Sequence, residues 1–439
     1  MTLFSKTTRL WNRQHLLWLF LSIALFTRLA FVYLHPPEAY ISSDMADYHN
    51  LALKLAETGK EDISAAFQPP GTQYLLAAFY ALNLPTWSIG LFLALLSTAM
   101  CYLSFLTVKM LFGSQLALTT LAILSVNFLY IKYTGYYLAE TPFSFGIALS
   151  IYLLISAIYE TNSKKKNVLA FAFGFAIICT AAFKSNILLI LPIIGIWWLF
   201  NFKKFKLQWS PVFVILGFLP IAIFLVWRIN HLTGHHTLSI SGNSGMNFYY
   251  GRAHLNYMGF LDENGNLVEG WQSPVAAQKA GWHKKEYFRE HHTHNHFFMK
   301  EAWKLVKRSP MTQLKYSIGY MGDLFFTTTP WPTGNDTSSR VTELFNTFIC
   351  LFLVIPGMLF GLFLKSMWKQ PAFVIWLSAM SIFAVAFLFF GSPRFRIPYD
   401  QLFIPLALCV YSFAYSWLTS LKANKRETRL RPDTAPISK

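Results

Sequence analysis

Apolar runs of about twenty residues recur from one end of this chain to the other, and nothing else in the sequence constrains its fold as strongly. A backbone in lipid must satisfy its N–H and C=O groups within the spanning segment, so such runs fold as helices. Ten runs are long enough, or nearly so, to cross the membrane: 15–34, 87–108, 115–133, 141–159, 168–183, 187–200, 211–229, 344–364, 371–391 and 402–421. Of the 439 residues only 13% are charged, about half the roughly 25% usual in a soluble domain. That excludes disorder and a cytosolic enzyme with one inserted anchor. Cys101, Cys179, Cys350 and Cys409 all fall in apolar stretches, so a disulfide framework is not expected either. The fold class is an all-α polytopic membrane protein of about ten transmembrane helices.

The net charge, 37 − 20 = +17, would suggest nucleic acid in a soluble chain. Here the basic residues sit in short clusters between apolar runs, so they act as topology signals and no nucleic-acid partner is expected. With both termini inside and ten spans, the connections carrying Lys109, Lys164 to Lys166, Lys203 to Lys206 and Lys365 to Lys369 all fall inside. Segment 71–83, ended by Pro85, would reach only about 20 Å as a helix and is placed flat on the membrane surface. The first run, behind a basic lead of Lys6, Arg9 and Arg13, reads as an uncleaved span. The expected organisation is a module over 1–229 with a first outer loop at 35–86, a large outer loop with interfacial helices at 230–343, C-terminal helices over 344–421 and a basic cytoplasmic tail at 422–439, which can touch membrane lipids. Chemistry, if present, belongs on the outer side.

Several polar residues fall at that same depth. Ser43 reads as the N-cap of a helix in which Met45, Tyr48, Leu51, Ala52 and Leu55 recur at helical spacing, and Asp44 and Asp47 share a face in its first turn. Carboxylates there also complement the helix dipole. Glu140 stands at the outer edge of the fourth run, and Lys184 interrupts apolar sequence between the fifth and sixth, where a lone lysine can also snorkel. Arg394 and Arg396 lie outside against the usual charge bias, which favours an anion partner because guanidinium forks suit phosphate oxygens. In 291–296, His291/His294 and His292/His296 are helically spaced, yet no accompanying carboxylate pattern supports a metal, and a solvated or interfacial helix is the stronger reading. Arg28 is the strong charge deepest in a span, and no repeat suggests a transporter.

The ordered series resembles the C-type (GT-C) integral-membrane glycosyltransferases, particularly relatives of protein O-mannosyltransferases and aminoarabinose transferases. The residues carrying it are Asp44, Tyr48 and Ala52 at four-residue spacing, Gln68-Pro69-Pro70-Gly71-Thr72-Gln73-Tyr74, Glu140-Thr141-Pro142, Lys184-Ser185-Asn186, Arg228-Ile229-Asn230, Gly245 to Gly251, and Arg394-Phe395-Arg396-Ile397-Pro398 with Pro405. The resemblance implies a sugar donor on a polyprenyl (undecaprenyl or dolichyl) phosphate and a glycan, lipid or protein acceptor carrying a hydroxyl. It also implies an inverting reaction at the outer, periplasmic face of a bacterial inner membrane. In that frame Asp44 is the general base, while Lys184, Arg394 and Arg396 hold the donor phosphate. Asp47, Tyr48, Glu140, Asn247 and Tyr250 are candidates for sugar or acceptor contacts, and Glu140 can alternatively position the base or hold a cation. No cofactor is certain. A divalent metal is possible, although Met45 departs from the acidic pair many relatives show. The rival readings are a transporter or flippase for a lipid-linked substrate and a membrane scaffold whose outer loop binds another protein.

Overall fold

The computed structural model describes residues 13–254, 256–272, 284–326, 337–363 and 370–430. Among them, seven helical stretches are long and apolar enough to cross a membrane. They are Arg13–Leu34 (α1), Trp87–Phe112 (α4), Glu140–Tyr159 (α7), Ser210–Thr233 (α10), Arg340–Leu359, Pro371–Leu388 (α16) and Pro393–Leu421. An eighth candidate is a bent pair, Ser114–Ser125 (α5) with the stretch from Phe128 to Gly135, which opens as helix Phe128–Lys132 (α6); the two arms meet at 51°.

The expectation of ten spans exceeds this count by two runs, each with a physical reason. The fifth run lies in a helix, Ser163–Ala181 (α8), whose first turn carries Lys164, Lys165 and Lys166, which raises its charge above that of an ordinary span. The sixth is the short apolar stretch Ser185–Asn201, which ends as helix Ile190–Asn201 (α9). Between α1 and α4 lie two shorter helices, Asp44–Thr58 (α2) and Gly71–Ala81 (α3). With 11 residues, α3 reaches only about 16 Å, too little to cross.

The described residues are mostly helical, in line with the all-α expectation, with one departure, a small sheet in the large loop. The large loop folds helix Ser244–Arg252 (α11) and then strands Asn256–Leu261 (β1), Leu267–Gln272 (β2) and Lys284–Phe288 (β3), joined in the order β2-β1-β3, with β1 antiparallel to β2 and parallel to β3. Helices Asn295–Arg308 (α12) and Pro310–Phe326 (α13) follow. Met246, Tyr249, Met258, Phe260, Phe298 and Ala302 form a small apolar core of this loop's own. The strands have only five or six residues each, too short to assert a period of two against a helical background. Helix α12 begins after most of the histidine run, so His291, His292 and His294 stand in the turn before it instead of on its face. Beyond the loop come Thr337–Ile349 (α14), Ile355–Leu359 (α15), α16, the short helix Pro393–Arg396 (α17) and Asp400–Leu430 (α18).

The break between α5 and α6 has a specific cause. Asn127 caps α6, its side chain accepting from Leu129 N at 3.0 Å. On the other side Arg28, 0% exposed, donates to the carbonyls of Leu124 (3.1 Å) and Ser125 (3.1 Å), and also to Ala24 O (2.9 Å) and Ser97 Oγ (2.7 Å). A helix end in an apolar interior leaves carbonyls that need donors, and Arg28 supplies them. The bend in turn delivers Tyr130, whose hydroxyl donates to Ile397 O (2.8 Å) and accepts from Gln401 N (2.8 Å), to the turn that follows Arg394. Arg28→Met would remove the charged donor from both carbonyls, leaving Ser125 O to Thr27 Oγ1 (3.2 Å) and Leu124 O to Asn127 N (3.4 Å), and a hydrogen bond from a charged group is worth about 1.5–3 kcal/mol. We expect a clearly lowered melting temperature for this variant in detergent, with loss of activity secondary to the loosened turn.

Candidate active site

Four residues distant in sequence meet at the ends of the helices. Asp44 opens α2, Glu140 opens α7, Lys184 lies in the turn after α8, and Arg394 lies in the first turn of α17, where Ser392 caps the helix by accepting from Arg394 N. Arg394 Nη1 donates to Asp44 Oδ2 at 2.8 Å, and its Nε donates to Glu140 Oε1. Lys184 Nζ donates to the same Glu140 oxygen at 2.7 Å. The charges therefore alternate along a chain, Asp44, Arg394, Glu140, Lys184, and sum to zero. Glu140 is the buried anchor at 1% side-chain exposure, whereas Asp44 is the open end at 33%. Glu140 Oε2 has no hydrogen-bond partner among the described residues. The Lys184 ammonium also lies 6.0 Å from the Phe143 ring centroid and 5.4 Å from that of Phe395, within cation–π range.

Local structure explains how Asp44 is presented. Ser43 makes no side-chain cap; it adopts φ +49°, ψ −134°, a conformation favouring glycine, and so turns the chain sharply into α2. Met45, Tyr48 and Ala52 are buried on one face of α2, which leaves Asp44 and Asp47 off the packed side. The Tyr48 hydroxyl donates to Gln68 Oε1, and His49 Nδ1 is 2.8 Å from the Tyr80 hydroxyl, tying α2 to the start and end of the α3 segment. Gly71 N donates to Ala182 O at 2.6 Å, and a Cβ on Gly71 would lie 2.7 Å from that oxygen. Only glycine allows this approach of α3 to the turn bearing Lys184.

Asp47 is the second carboxylate of the same turn. Burial raises its carboxyl above the usual range, the charges of Asp44 and Glu269 add to the rise, and His292 partly offsets it. Neither Glu269 nor His292 was readable as a neighbour of Asp47 from sequence, since both come from the large loop more than two hundred residues away; the histidine run was the only hint. His292 Nδ1 lies 3.2 Å from Glu269 Oε2, and its ring packs edge-on against Phe67 with centroids 4.7 Å apart. Tyr250, on α11, has its hydroxyl pushed up to about 12 by burial and then by Asp44, so it stays protonated as a donor near that carboxylate. Its ring meets Phe390, which meets Phe395 beside Lys184. Asn247 is half-buried one turn earlier on α11.

The structure does not bring Arg396 to this cluster. Its side chain is fully buried, with Nε and Nη2 on the two oxygens of Asp400 (2.9 and 3.1 Å), Nη2 on Asn346 Oδ1 (2.6 Å) and Nη1 on Leu324 O (2.9 Å). It pins α13 and α14 to α18. Arginines two apart on a helical turn point to different sides, and Asp400, four residues on from Arg396, is the sequence signal that marks its structural role. No group of three or more His, Cys, Asp or Glu arranged to hold a metal occurs among the described residues.

The amino-terminal half of the chain, which builds three of the four charged positions, decides the family. Residues 10–235 match the model of the dolichyl-phosphate-mannose-protein mannosyltransferases. The chain belongs to this family. No curated protein matches it. Among solved structures, this mannosyltransferase-family chain is similar to ArnT from Cupriavidus metallidurans bound to undecaprenyl phosphate, with TM-score 0.52 and 12% identity, covering 90% of this chain and 59% of ArnT. It is also similar to the archaeal oligosaccharyltransferase AglB from Archaeoglobus fulgidus in complex with an inhibitory peptide and a dolichol-phosphate, with TM-score 0.51 and 10% identity, covering 95% of this chain and 52% of AglB. At such identities the likeness is one of fold, and the chain spans little more than half the length of either.

Proposed function

We propose that this family member is an inverting glycosyltransferase that moves a sugar from a polyprenyl phosphate to a hydroxyl acceptor on the outer side of the membrane, with the bacterial inner membrane and its periplasmic face as the setting. The observation that carries the reading is the alternating chain in which Asp44 is the more exposed carboxylate, at 33%, and two cations are held on a buried Glu140. Asp44 Oδ2 is held by Arg394, which leaves Oδ1 to accept the acceptor's proton. As that proton leaves, the acceptor oxygen bonds to the anomeric carbon from the face opposite the phosphate. The anomeric carbon–oxygen bond breaks, its electron pair stays on the phosphate oxygen, and the configuration inverts. The leaving lipid phosphate gains negative charge at its bridging oxygen, and Lys184 and Arg394 are the cations within the cluster to meet it. Of the roles open to Glu140, holding these two cations in place is the one its contacts support. Tyr250, Asn247 and Asp47 line the acceptor or sugar side, while Tyr48, buried on the packed face of α2 and donating to Gln68, supports the turn that presents Asp44.

Lys184→Ala is expected to weaken donor use about ten- to a hundredfold, the worth of one charge-assisted contact. Initial rates against lipid-phosphate donor concentration measure it, and an unchanged donor KM would place the phosphate elsewhere. The sidedness has its own test. Cysteines introduced at Gln68 and Thr86 should react with an impermeant thiol reagent from outside, and one at Ser163 only after the membrane is opened. Labelling of Ser163→Cys in intact cells would put Glu140 and Lys184 on the wrong side of the membrane from Asp44.

The function itself is tested by mass spectrometry of lipid-linked sugars and surface glycans, with and without an active copy. The expected result is accumulation of one sugar-loaded polyprenyl phosphate together with loss of that sugar from a glycan. Unchanged pools of both would refute the reading.

A further inference from the structure

A groove of about 730 Å³ lies away from the charged chain just described, between the C-terminal end of α2 and the last turns of α10. Its walls are apolar at Leu55, Phe224 and Trp227, and its floor is Arg228. Gly59, at φ +66° with its N–H on Leu55 O (2.9 Å), ends α2 and turns the chain so that Lys60 and Glu61 face α10. Glu61 takes Arg228 Nε at 2.9 and 3.1 Å and Nη2 at 2.5 Å, and also receives Gln73 Nε2 (3.0 Å) and the Tyr74 hydroxyl (3.0 Å). Arg228 Nη2 also donates to Ala65 O at 2.8 Å.

Arg228 is nevertheless not fully satisfied. The residue is 2% exposed, and its Nη1 has no hydrogen-bond partner among the described residues. A buried charged donor without an acceptor is costly, so such a group marks a place where an acceptor belongs. The formal charge of Lys60 and Arg228 against Glu61 leaves the groove a surplus of one positive charge.

Depth narrows the acceptor's identity. Trp227 follows the start of α10 at Ser210 by seventeen residues, about 26 Å of helix, which is nearly the thickness of the hydrocarbon layer. Trp227 and Phe224 are 57% and 41% exposed on that helix, where tryptophan commonly sits at headgroup level. The groove therefore joins an apolar, lipid-facing wall to an unsatisfied guanidinium at the interface.

We propose that this groove binds the headgroup of an anionic glycerophospholipid of the surrounding bilayer, its phosphate accepting from Arg228 Nη1 and Lys60 and its glycerol and upper acyl chain lying along Phe224 and Trp227. The lipid would brace the 59–70 connection, whose far end holds Tyr48 through Gln68 one turn from Asp44. This goes beyond the transfer reaction and does not depend on it, because binding is read without any sugar.

The experiment uses the full chain, delipidated in a neutral detergent and titrated with didecanoyl phosphatidylglycerol, with phosphatidylcholine of the same chain length, or with inorganic phosphate. Bound lipid is counted by native mass spectrometry and the melting temperature is followed in parallel. One phosphatidylglycerol should bind with a rise in melting temperature, phosphatidylcholine should bind at least about tenfold more weakly, and phosphate alone should have no effect. Arg228→Gln should weaken phosphatidylglycerol binding about tenfold. Because that change also breaks the Glu61 pair, the Lys60→Gln/His231→Gln double variant and Trp227→Ala, which alter exposed positions only, should each weaken it too while leaving the lipid-free melting temperature near that of the wild type. Equal binding of the two lipids, wild-type binding by the latter two variants, or an equal shift with inorganic phosphate would each overturn the assignment.

Discussion

Asp44→Asn is expected to cut sugar transfer by about 10²–10⁴, the usual cost of losing a general base, while leaving the fold intact. The asparagine is nearly isosteric, and its carbonyl oxygen can still accept from Arg394 Nη1, now 2.8 Å from Oδ2. At 33% exposure, Asp44 is the least buried charge of the four in the cluster, so its neutralisation unbalances them less than any other change would. The measurement is turnover of a lipid-phosphate sugar donor by purified protein alongside its melting curve. Lost turnover with an unchanged melting temperature assigns Asp44 to the chemistry. Equal losses in both would make it a structural partner of Arg394 instead.

Glu140→Ala should have the largest effect on stability. Glu140 Oε1 receives both Arg394 Nε and Lys184 Nζ, and the carboxylate is 1% exposed. Its removal leaves two cations facing each other without the anion between them. Breaking a buried ion pair by removing one partner costs about 3–5 kcal/mol, mostly as the penalty for the charge left behind. Glu140→Gln keeps the shape and one acceptor oxygen, and should lie between the wild type and Glu140→Ala. Thermal unfolding in detergent gives the order directly. If Lys184→Ala is combined with Glu140→Ala, the double variant should be more stable than Glu140→Ala alone, because one uncompensated cation has gone; strictly additive losses would show that the two residues are not coupled as the geometry requires.

These expectations rest on a site that was largely, though unevenly, legible in the sequence. Asp44, Glu140, Lys184 and Arg394 stood out because charged residues at the ends of apolar runs are costly and share one depth, and the structure joins all four. What could not be read was the connectivity. Whether Arg394 or Arg396 points to Glu140 depends on the helical phase of a four-residue helix, which no local pattern fixes. The pairing of Arg228 with Glu61 links positions 167 apart and left no spacing signal at all. Long apolar spans were legible because a single property, hydropathy sustained over a membrane thickness, determines them. The break after Ser125 was not, because an apolar stretch stays apolar whether or not Asn127 and Arg28 divide it. The β-sheet in the large loop escaped for a related reason, since its short strands are stabilised by the packing of α11 and α12 beside them instead of by their own pattern.

Transfer of a sugar from a lipid phosphate with inversion at the anomeric carbon is the step on which every catalytic role proposed above depends. The most direct measurement is to reconstitute the protein in vesicles, supply polyprenyl-phosphate-linked sugars with the cell's own glycan and envelope fractions as acceptors, and determine the anomeric configuration of the transferred sugar by NMR together with the released polyprenyl phosphate. The expected result is one polyprenyl phosphate released for each sugar transferred, a glycosidic bond of opposite configuration to that in the donor, and neither product with Asp44→Asn. Transfer with retained configuration, or donor lipid that crosses the membrane with its sugar still attached, would contradict it.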